Sequence, residues 1–205
     1  MIDKTVIIKE EQSPIKINII RRLSNLFYQN CSPLIAILLT ITFIGYLYLV
    51  MMSKSSGFEL SDGNIKSLGT SFGFDKADIA LFLETRTTKM IEAYINFNQI
   101  WDTIFGLIYG LMYVVWMSVL FKPFSHKAGA LNLFPFMQVF FDWLENYTLS
   151  ALANQYLVDG MFSSVNAKLA SVFSIVKWVC SGLTLTLFLI GGILMISRAI
   201  KIQTK

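Results

Sequence analysis

The chain has 205 residues, of which 55% are hydrophobic and only 15% are charged, with a formal net charge of +4. A soluble domain carries about a quarter charged residues, so this composition excludes a soluble or disordered protein and predicts a membrane protein. Two cysteines and one histidine are too few for a disulfide scaffold or a multi-histidine metal site. We therefore expect no metal and no cofactor.

Four stretches are candidates for transmembrane helices, each of which needs about 20 apolar residues. They cover residues 33–52, 101–121, 132–153 and 172–196. The third stretch contains Asp142 and Glu145, and each carboxylate near a helix centre costs roughly 3 kcal/mol on insertion scales. We expect this helix to depend on its neighbours. The predicted fold is an all-α bundle of four transmembrane helices, forming one domain over residues 33–205.

Residues 1–32 are polar and basic and lack the features of a cleavable signal peptide, so the first span is predicted to be a signal anchor. Ser13-Pro14 is typical of a helix start. Apolar residues then follow at helical spacing, and they predict an amphipathic helix on the cytoplasmic membrane surface. The alternative is a solvated basic tail. The apolar positions are Ile15, Ile19, Leu23, Leu26 and Phe27.

The long loop 53–100 is predicted to be partly helical. Residues 61–64 and 69–73 are rich in turn-forming types. Asp75 has the character of an N-cap, and a helix from about residue 76 would place Ile79, Phe82 and Leu83 on one side. This helix could continue through Tyr94 into the second span.

Orientation follows from the basic residues, which accumulate on the cytoplasmic side of membrane proteins. Ten Lys and Arg residues lie in the N-terminal segment, the second loop and the C-terminal tail, against six in the loop 53–100 and the last loop. With four spans, both termini are predicted to lie in the cytoplasm.

Four polar residues form one stripe on the third predicted span: Gln138, Asp142, Glu145 and Asn146. Their spacing of three and four residues makes them face one direction, toward the bundle interior or a water-filled cavity. Counted at 1.5 Å per residue along their helices, Asp102 and Lys177 on the neighbouring spans both lie on the outer side of the membrane midplane. Together with Tyr109 they predict one polar pocket that opens toward the outside, in which Glu145 and Lys177 form an ion pair.

Three interpretations of this pocket remain open. The ion pair could fix the packing of the helices, Asp142 and Glu145 could bind or relay a proton or cation, or the two carboxylates could act as acid and base on a lipid. Asp142 and Glu145 are therefore the candidate catalytic residues. The first interpretation is favoured and predicts a non-enzymatic subunit or assembly component of a membrane complex. The alternative is a small transporter or a lipid-modifying enzyme that uses the two carboxylates.

Glycines mark the predicted helix contacts. Gly106-x3-Gly110 and Gly191-Gly192 would let a neighbouring helix approach closely, and a contact within the bundle is favoured over a homodimer interface. Cys31 and Cys180 lie at opposite depths, which makes a disulfide between them implausible.

The expected partners are membrane lipids and other membrane protein subunits. No phosphate-binding loop, dinucleotide fingerprint or nucleophile elbow occurs in the sequence. The basic residues cluster at the span ends without a nucleic-acid-binding motif, so nucleic acid is not an expected partner.

Asp142-x-x-Glu145-Asn146, preceded by Pro135 and accompanied by Asp102, Tyr109 and Lys177, resembles a signature in other proteins. It is similar to that of a group of small four-helix integral membrane proteins with Asp-x-x-Glu-Asn in the third span. The likeness covers residues 95–197. It implies the four-helix architecture and an important polar stripe, and it implies no particular activity.

Overall fold

A computed structural model describes residues 14–60 and 67–203, and the predicted turn at 61–64 lies outside them. Within these residues the chain forms helices and no strand, which confirms the all-α prediction. The six main helices are α1 (Pro14–Asn30), α2 (Pro33–Ser55), α3 (Lys76–Glu84), α4 (Thr88–Ala128), α5 (Pro135–Asp159) and α6 (Ser164–Gln203).

Three helices in the described part of the chain are long and apolar enough to span a membrane: α2, α4 and α6. The fourth predicted span corresponds to α5, which is not among them. Its helical length of 25 residues would suffice for a bilayer. The polar residues in its middle separate it from the other three, as Asp142 and Glu145 led us to expect.

Two of the apolar helices are longer than their hydropathy predicts. The second begins at Thr88 instead of residue 101, and the last, α6, has 40 residues where 172–196 was predicted. At 1.5 Å per residue α6 is about 60 Å long, roughly twice the thickness of a bilayer core. A hydropathy window detects the lipid-sized apolar segment, whereas the helix ends where a cap or turn stops it. The Thr87 side chain provides such a cap for α4 by accepting a hydrogen bond from the Met90 backbone N–H.

The bundle buries several polar residues beside its apolar core, and it exposes many apolar side chains. Helix α5 packs against α4 and α6, and α2 packs mainly against α4. The α-helical part of α2 buries only Ala36 and exposes most of its apolar side chains. This distribution is expected where lipid replaces water around the helices. Buried polar residues of the helices include Ser118, Asp142, Glu145, Asn146, Ser150, Ser174 and Lys177.

Helix α1 extends over Pro14–Asn30, and Ser13 of the predicted helix start lies outside the described residues. It is attached to the bundle through Ser24, whose hydroxyl donates hydrogen bonds to Asn132 Oδ1 at 2.6 Å and to the Gly129 carbonyl at 3.1 Å. Asn132 Nδ2 in turn donates to the Ser24 carbonyl and to Ser118 Oγ. The apolar side chains of Ile19, Ile20, Leu23 and Leu26 are exposed.

The connection between α2 and α4 contains the predicted helix α3. Asp75 caps it, and the Asp78 carboxylate reciprocally accepts a hydrogen bond from the Asp75 N–H. Ile79, Phe82 and Leu83 are buried together, as their spacing predicts. The expected continuation into the second span is wrong, because α3 ends at Glu84.

Arg86 holds the turn that separates α3 from α4. Its buried guanidinium donates to the carbonyl oxygens of Phe58 and Phe82, both at 2.7 Å, and lies over the Phe82 ring. Burial lowers the pKa of Arg86. The chain therefore changes direction around a buried cation, which the helical spacing alone does not reveal.

Candidate functional site: a buried ion cluster beside an apolar cavity

Lys177 is the centre of the polar site. Its ammonium group forms salt bridges with Asp142 Oδ1 at 3.3 Å and with Glu145 Oε2, so the predicted Glu145–Lys177 pair is present. It also donates a hydrogen bond of 2.8 Å to the carbonyl oxygen of Gly69. Asp142, Glu145 and Lys177 are all buried, and Glu145 is 0% exposed.

A glycine on α4 allows this cluster to form. A Cβ atom at Gly106 would lie 3.1 Å from Asp142 Oδ2 and 2.9 Å from Trp143 Nε1. The Trp143 indole N–H donates to the Thr103 carbonyl at 3.0 Å. Helix α5 thus brings its carboxylates against the backbone of α4, which is the contact within the bundle that the Gly106-x3-Gly110 spacing predicts.

Two further hydrogen bonds connect α4 and α5 at the same level. The Tyr109 hydroxyl donates to Asp142 Oδ2 at 3.0 Å, and Asn146 Nδ2 donates to Asp102 Oδ2 at 2.9 Å. The site therefore contains three carboxyl groups and a single ammonium group. If all were ionised, negative charge would be in excess within a buried environment.

Helices α2 and α4 each contain a short, wider π-helical segment near the cluster. The segments Leu47–Met51 of α2 and Phe97–Asp102 of α4 lie against each other. Such segments are rare and often occur at functional sites, because the wider turn displaces side chains from their α-helical positions. The second segment contains Asn98 and Asp102.

A cavity of about 390 Å³ adjoins the cluster. Its polar wall contains Asn98, Asp102, Gln138, Asp142 and Lys177. The remaining wall is largely apolar and is formed by α2, α4, α6 and the segment around residue 69. Apolar side chains that line it include Phe43, Leu47, Met51, Phe58, Phe105 and Trp178.

The segment 68–74 covers the cluster on the α6 side. The Ser174 hydroxyl donates to the Ser71 carbonyl at 2.8 Å, and the Phe74 N–H donates to Ser171 Oγ at 3.0 Å. Gly73 has a φ of 76°, and a Cβ there would lie 2.9 Å from Ile175 Cγ1. A glycine is needed both for this backbone conformation and for the close approach.

The structure brings together six of the seven predicted pocket residues through direct contacts: Asp102, Tyr109, Asp142, Glu145, Asn146 and Lys177. The seventh, Gln138, lines the cavity, and its Oε1 has no hydrogen-bond partner.

Sequence reasoning missed Asn98 and the Gly69 carbonyl. A signal for Asn98 was available, since it precedes Asp102 by four residues and extends the same helical stripe. The predicted span begins at residue 101 and therefore does not include residue 98. No side-chain pattern marks the Gly69 contact, because it is made by a backbone oxygen.

The other predicted packing positions differ in their surroundings. A Cβ at Gly110 would overlap Val139 on α5, and one at Gly191 would lie 2.8 Å from Phe121 Cε2. No atom lies within 4 Å of such a Cβ at Gly192. The predicted contact at Gly192 is therefore wrong, because this residue faces open space while its neighbour faces α4.

Cys31 and Cys180 are both buried and free, in agreement with the expectation that they do not form a disulfide. Among the described residues, no group of three or more His, Cys, Asp or Glu side chains is arranged to hold a metal ion.

Comparison with known proteins found no matching family model, no matching curated protein and no matching solved structure.

Proposed function

We propose that α5 is a fourth membrane span and that both termini lie in the cytoplasm. Asp142, Glu145, Asn146 and Ser150 of α5 are buried in the bundle, whereas Phe140, Tyr147 and other apolar or aromatic side chains are exposed, with Tyr147 75% exposed. A helix with this distribution is stable in lipid when its neighbours satisfy the buried polar groups. The ten-to-six distribution of basic residues supports the orientation. The ion cluster then lies in the extracytoplasmic half of the bundle.

We further propose that the protein binds an amphipathic, lipid-like molecule in the cavity, as a small transporter or a lipid-modifying enzyme would. The observation that supports this is one cavity with an ion cluster at one wall and aromatic and aliphatic side chains at the others. A volume of about 390 Å³ falls within the roughly 300–1,000 Å³ typical of small-molecule sites. An ion cluster that only fixed helix packing would need no adjacent cavity.

Of the two candidate catalytic residues, Asp142 would be the acid, base or proton carrier in this function, and Glu145 would support it. Glu145 is enclosed by α5 and α6, whereas Asp142 lines the cavity and is held by Tyr109 and Lys177. Asp142 is therefore the group that can meet a bound molecule. Glu145 would act through Lys177, as a positioning residue.

The cavity can be tested by filling it. Leu47→Trp would place an indole in the cavity, whereas Leu49→Trp alters the same helix at a position that is 78% exposed and outside the cavity lining. Each protein would be purified in mild detergent, and bound lipids would be identified by native mass spectrometry. We expect the parent and Leu49→Trp to retain a bound amphiphile and Leu47→Trp to lose it. Equal retention in all three proteins, or none in the parent, would contradict the proposal.

The second candidate function is a non-enzymatic subunit or assembly component. The observation in its favour is that Gly182 and Gly192 on α6 have open space beside them, where a helix of another protein could approach closely. Purification after crosslinking tests it. A stoichiometric protein partner that is lost in Gly192→Leu, with lipid binding unchanged, would favour this function. We also propose that the chain is related to the group of proteins with the Asp-x-x-Glu-Asn signature.

A further inference from the structure

The head group that fits the cavity can be deduced from the hydrogen bonds that its polar residues already make. Lys177 is the only basic residue among the described residues that line the cavity. An ammonium group has three N–H donors, and Lys177 meets three acceptors: Asp142, Glu145 and the Gly69 carbonyl. Lys177 therefore has no donor left for an anionic head group such as a phosphate or carboxylate.

The carboxyl groups, in contrast, outnumber the basic groups that could neutralise them. Asp102 lines the cavity and is partly exposed, and its one hydrogen bond is accepted at Oδ2 from Asn146. With Lys177 engaged by Asp142 and Glu145, no other basic side chain in the described lining is available to compensate Asp102. A cation in the cavity would supply this compensation.

An unpartnered amide oxygen points to a ligand independently of the charges. Gln138 Oε1 lies in the cavity wall and is buried, yet it has no hydrogen-bond partner. Leaving a buried polar group unpaired costs about 1–3 kcal/mol, so such a group is normally satisfied when its site is occupied.

We infer that the cavity binds an amphiphile with an ammonium head group. Asp102 Oδ1 and Gln138 Oε1 accept hydrogen bonds from the ammonium group, and the alkyl chain lies along Phe43, Leu47 and Phe105. This inference rests on the proposed amphiphile-binding function and adds the chemical class of its ligand.

Four probes separate the head group from the chain: dodecylamine, dodecanol, dodecyl phosphate and ethylamine. The full chain would be held in uncharged detergent at pH 7, where an alkylamine is protonated because its pKa is about 10. Binding would be measured by native mass spectrometry and by the shift in thermal unfolding. We expect dodecylamine to bind at least 10-fold more tightly than each of the other three.

The results distinguish the two proposals. If dodecanol or dodecyl phosphate binds as tightly as dodecylamine, the head-group inference is overturned while amphiphile binding stands. If ethylamine matches dodecylamine, the cation site stands and the amphiphile function fails. If none of the dodecyl compounds binds, both fail.

A matched pair of variants assigns the preference to Asp102. Asp102→Asn removes the charge with almost no change in volume, and Asp159→Asn removes a charge at the exposed end of α5, away from the cavity. We expect Asp102→Asn to bind dodecylamine and dodecanol to within about threefold of each other, and Asp159→Asn to behave like the parent. An unchanged amine preference in folded Asp102→Asn would overturn the inference. Should this variant not fold, the head-group series on the parent still decides it.

Discussion

The ammonium of Lys177 on α6 donates a 2.8 Å hydrogen bond to the backbone carbonyl of Gly69, which precedes it by 108 residues. The same nitrogen is paired with Asp142 and Glu145 on α5. One cation therefore links α5, α6 and the connection between α2 and α4. Loss of this cation should therefore weaken the packing of all three elements.

Lys177→Met should destabilise the protein by about 3–5 kcal/mol, because it leaves buried carboxylates without their partner. Glu145→Gln in the same chain should restore much of this loss, because it removes one uncompensated charge. Lys168→Met is the control, since it lies on the same helix and is exposed. Thermal unfolding in detergent measures all four proteins, and an unchanged melting temperature for Lys177→Met would show that the ion pairs do not stabilise the fold.

The double variant also separates structure from function. If Lys177→Met/Glu145→Gln is as stable as the parent and retains its ligand, the cluster serves packing. If stability returns and ligand binding does not, the charges themselves serve the bound molecule.

Gly110→Ala should destabilise the protein by about 1–3 kcal/mol, because the new methyl group would overlap Val139 on α5. Gly182→Ala should be neutral or stabilising by up to about 1 kcal/mol, since open space surrounds that position and alanine favours helix. Val139→Ala should rescue Gly110→Ala. Thermal unfolding tests the comparison, and equal effects of the two glycine substitutions would contradict the close approach of α4 and α5.

Asn132→Ala should loosen α1 from the bundle. It removes the side chain that bonds to both Ser24 and Ser118 in a fully buried position, at a cost of about 1–3 kcal/mol. Asn30→Ala is the control, because that exposed side chain bonds only within α1. Limited proteolysis should cut α1 faster in Asn132→Ala than in the control, and equal rates would show that this network does not hold α1 in place.

A peptide of residues 13–30 should gain helicity on vesicles with anionic lipids, and less at high salt. Basic residues near such a surface contribute roughly 1 kcal/mol each, and Ile19, Leu23 and Leu26 present an exposed apolar surface. Circular dichroism measures the change, with uncharged vesicles as the control. A peptide that stays unstructured on anionic vesicles would identify the segment as a solvated tail.

The proposed topology predicts which loops a membrane-impermeant thiol reagent reaches from outside. On a background without Cys31 and Cys180, a cysteine replacing exposed Lys168 should be labelled on intact cells, and one replacing exposed His126 only after the membrane is opened. Labelling of both positions on intact cells would rule out four spans with cytoplasmic termini.

Local patterns in the amino-acid sequence were enough to predict the helical class, the apolar helices, the cap at Asp75 and the pairing of Glu145 on α5 with Lys177 on α6. These follow from local rules: apolar runs of lipid-spanning length, side-chain capping, and a period that places Asp142 and Glu145 on one face. The depth of each residue in the membrane can be estimated by counting 1.5 Å per residue along its predicted span. This estimate was enough to match Glu145 with Lys177.

The helix ends and the cavity, in contrast, became apparent only in the folded chain. The π-helical turns, the buried turn at Arg86 and the carbonyl of Gly69 depend on backbone contacts between distant segments, and no side-chain pattern records them. The cavity likewise depends on how side chains from α2, α4, α5, α6 and the segment around residue 69 meet. Asn98 therefore appeared in the sequence as a loop residue, whereas the fold makes it a buried amide at the wall of the site.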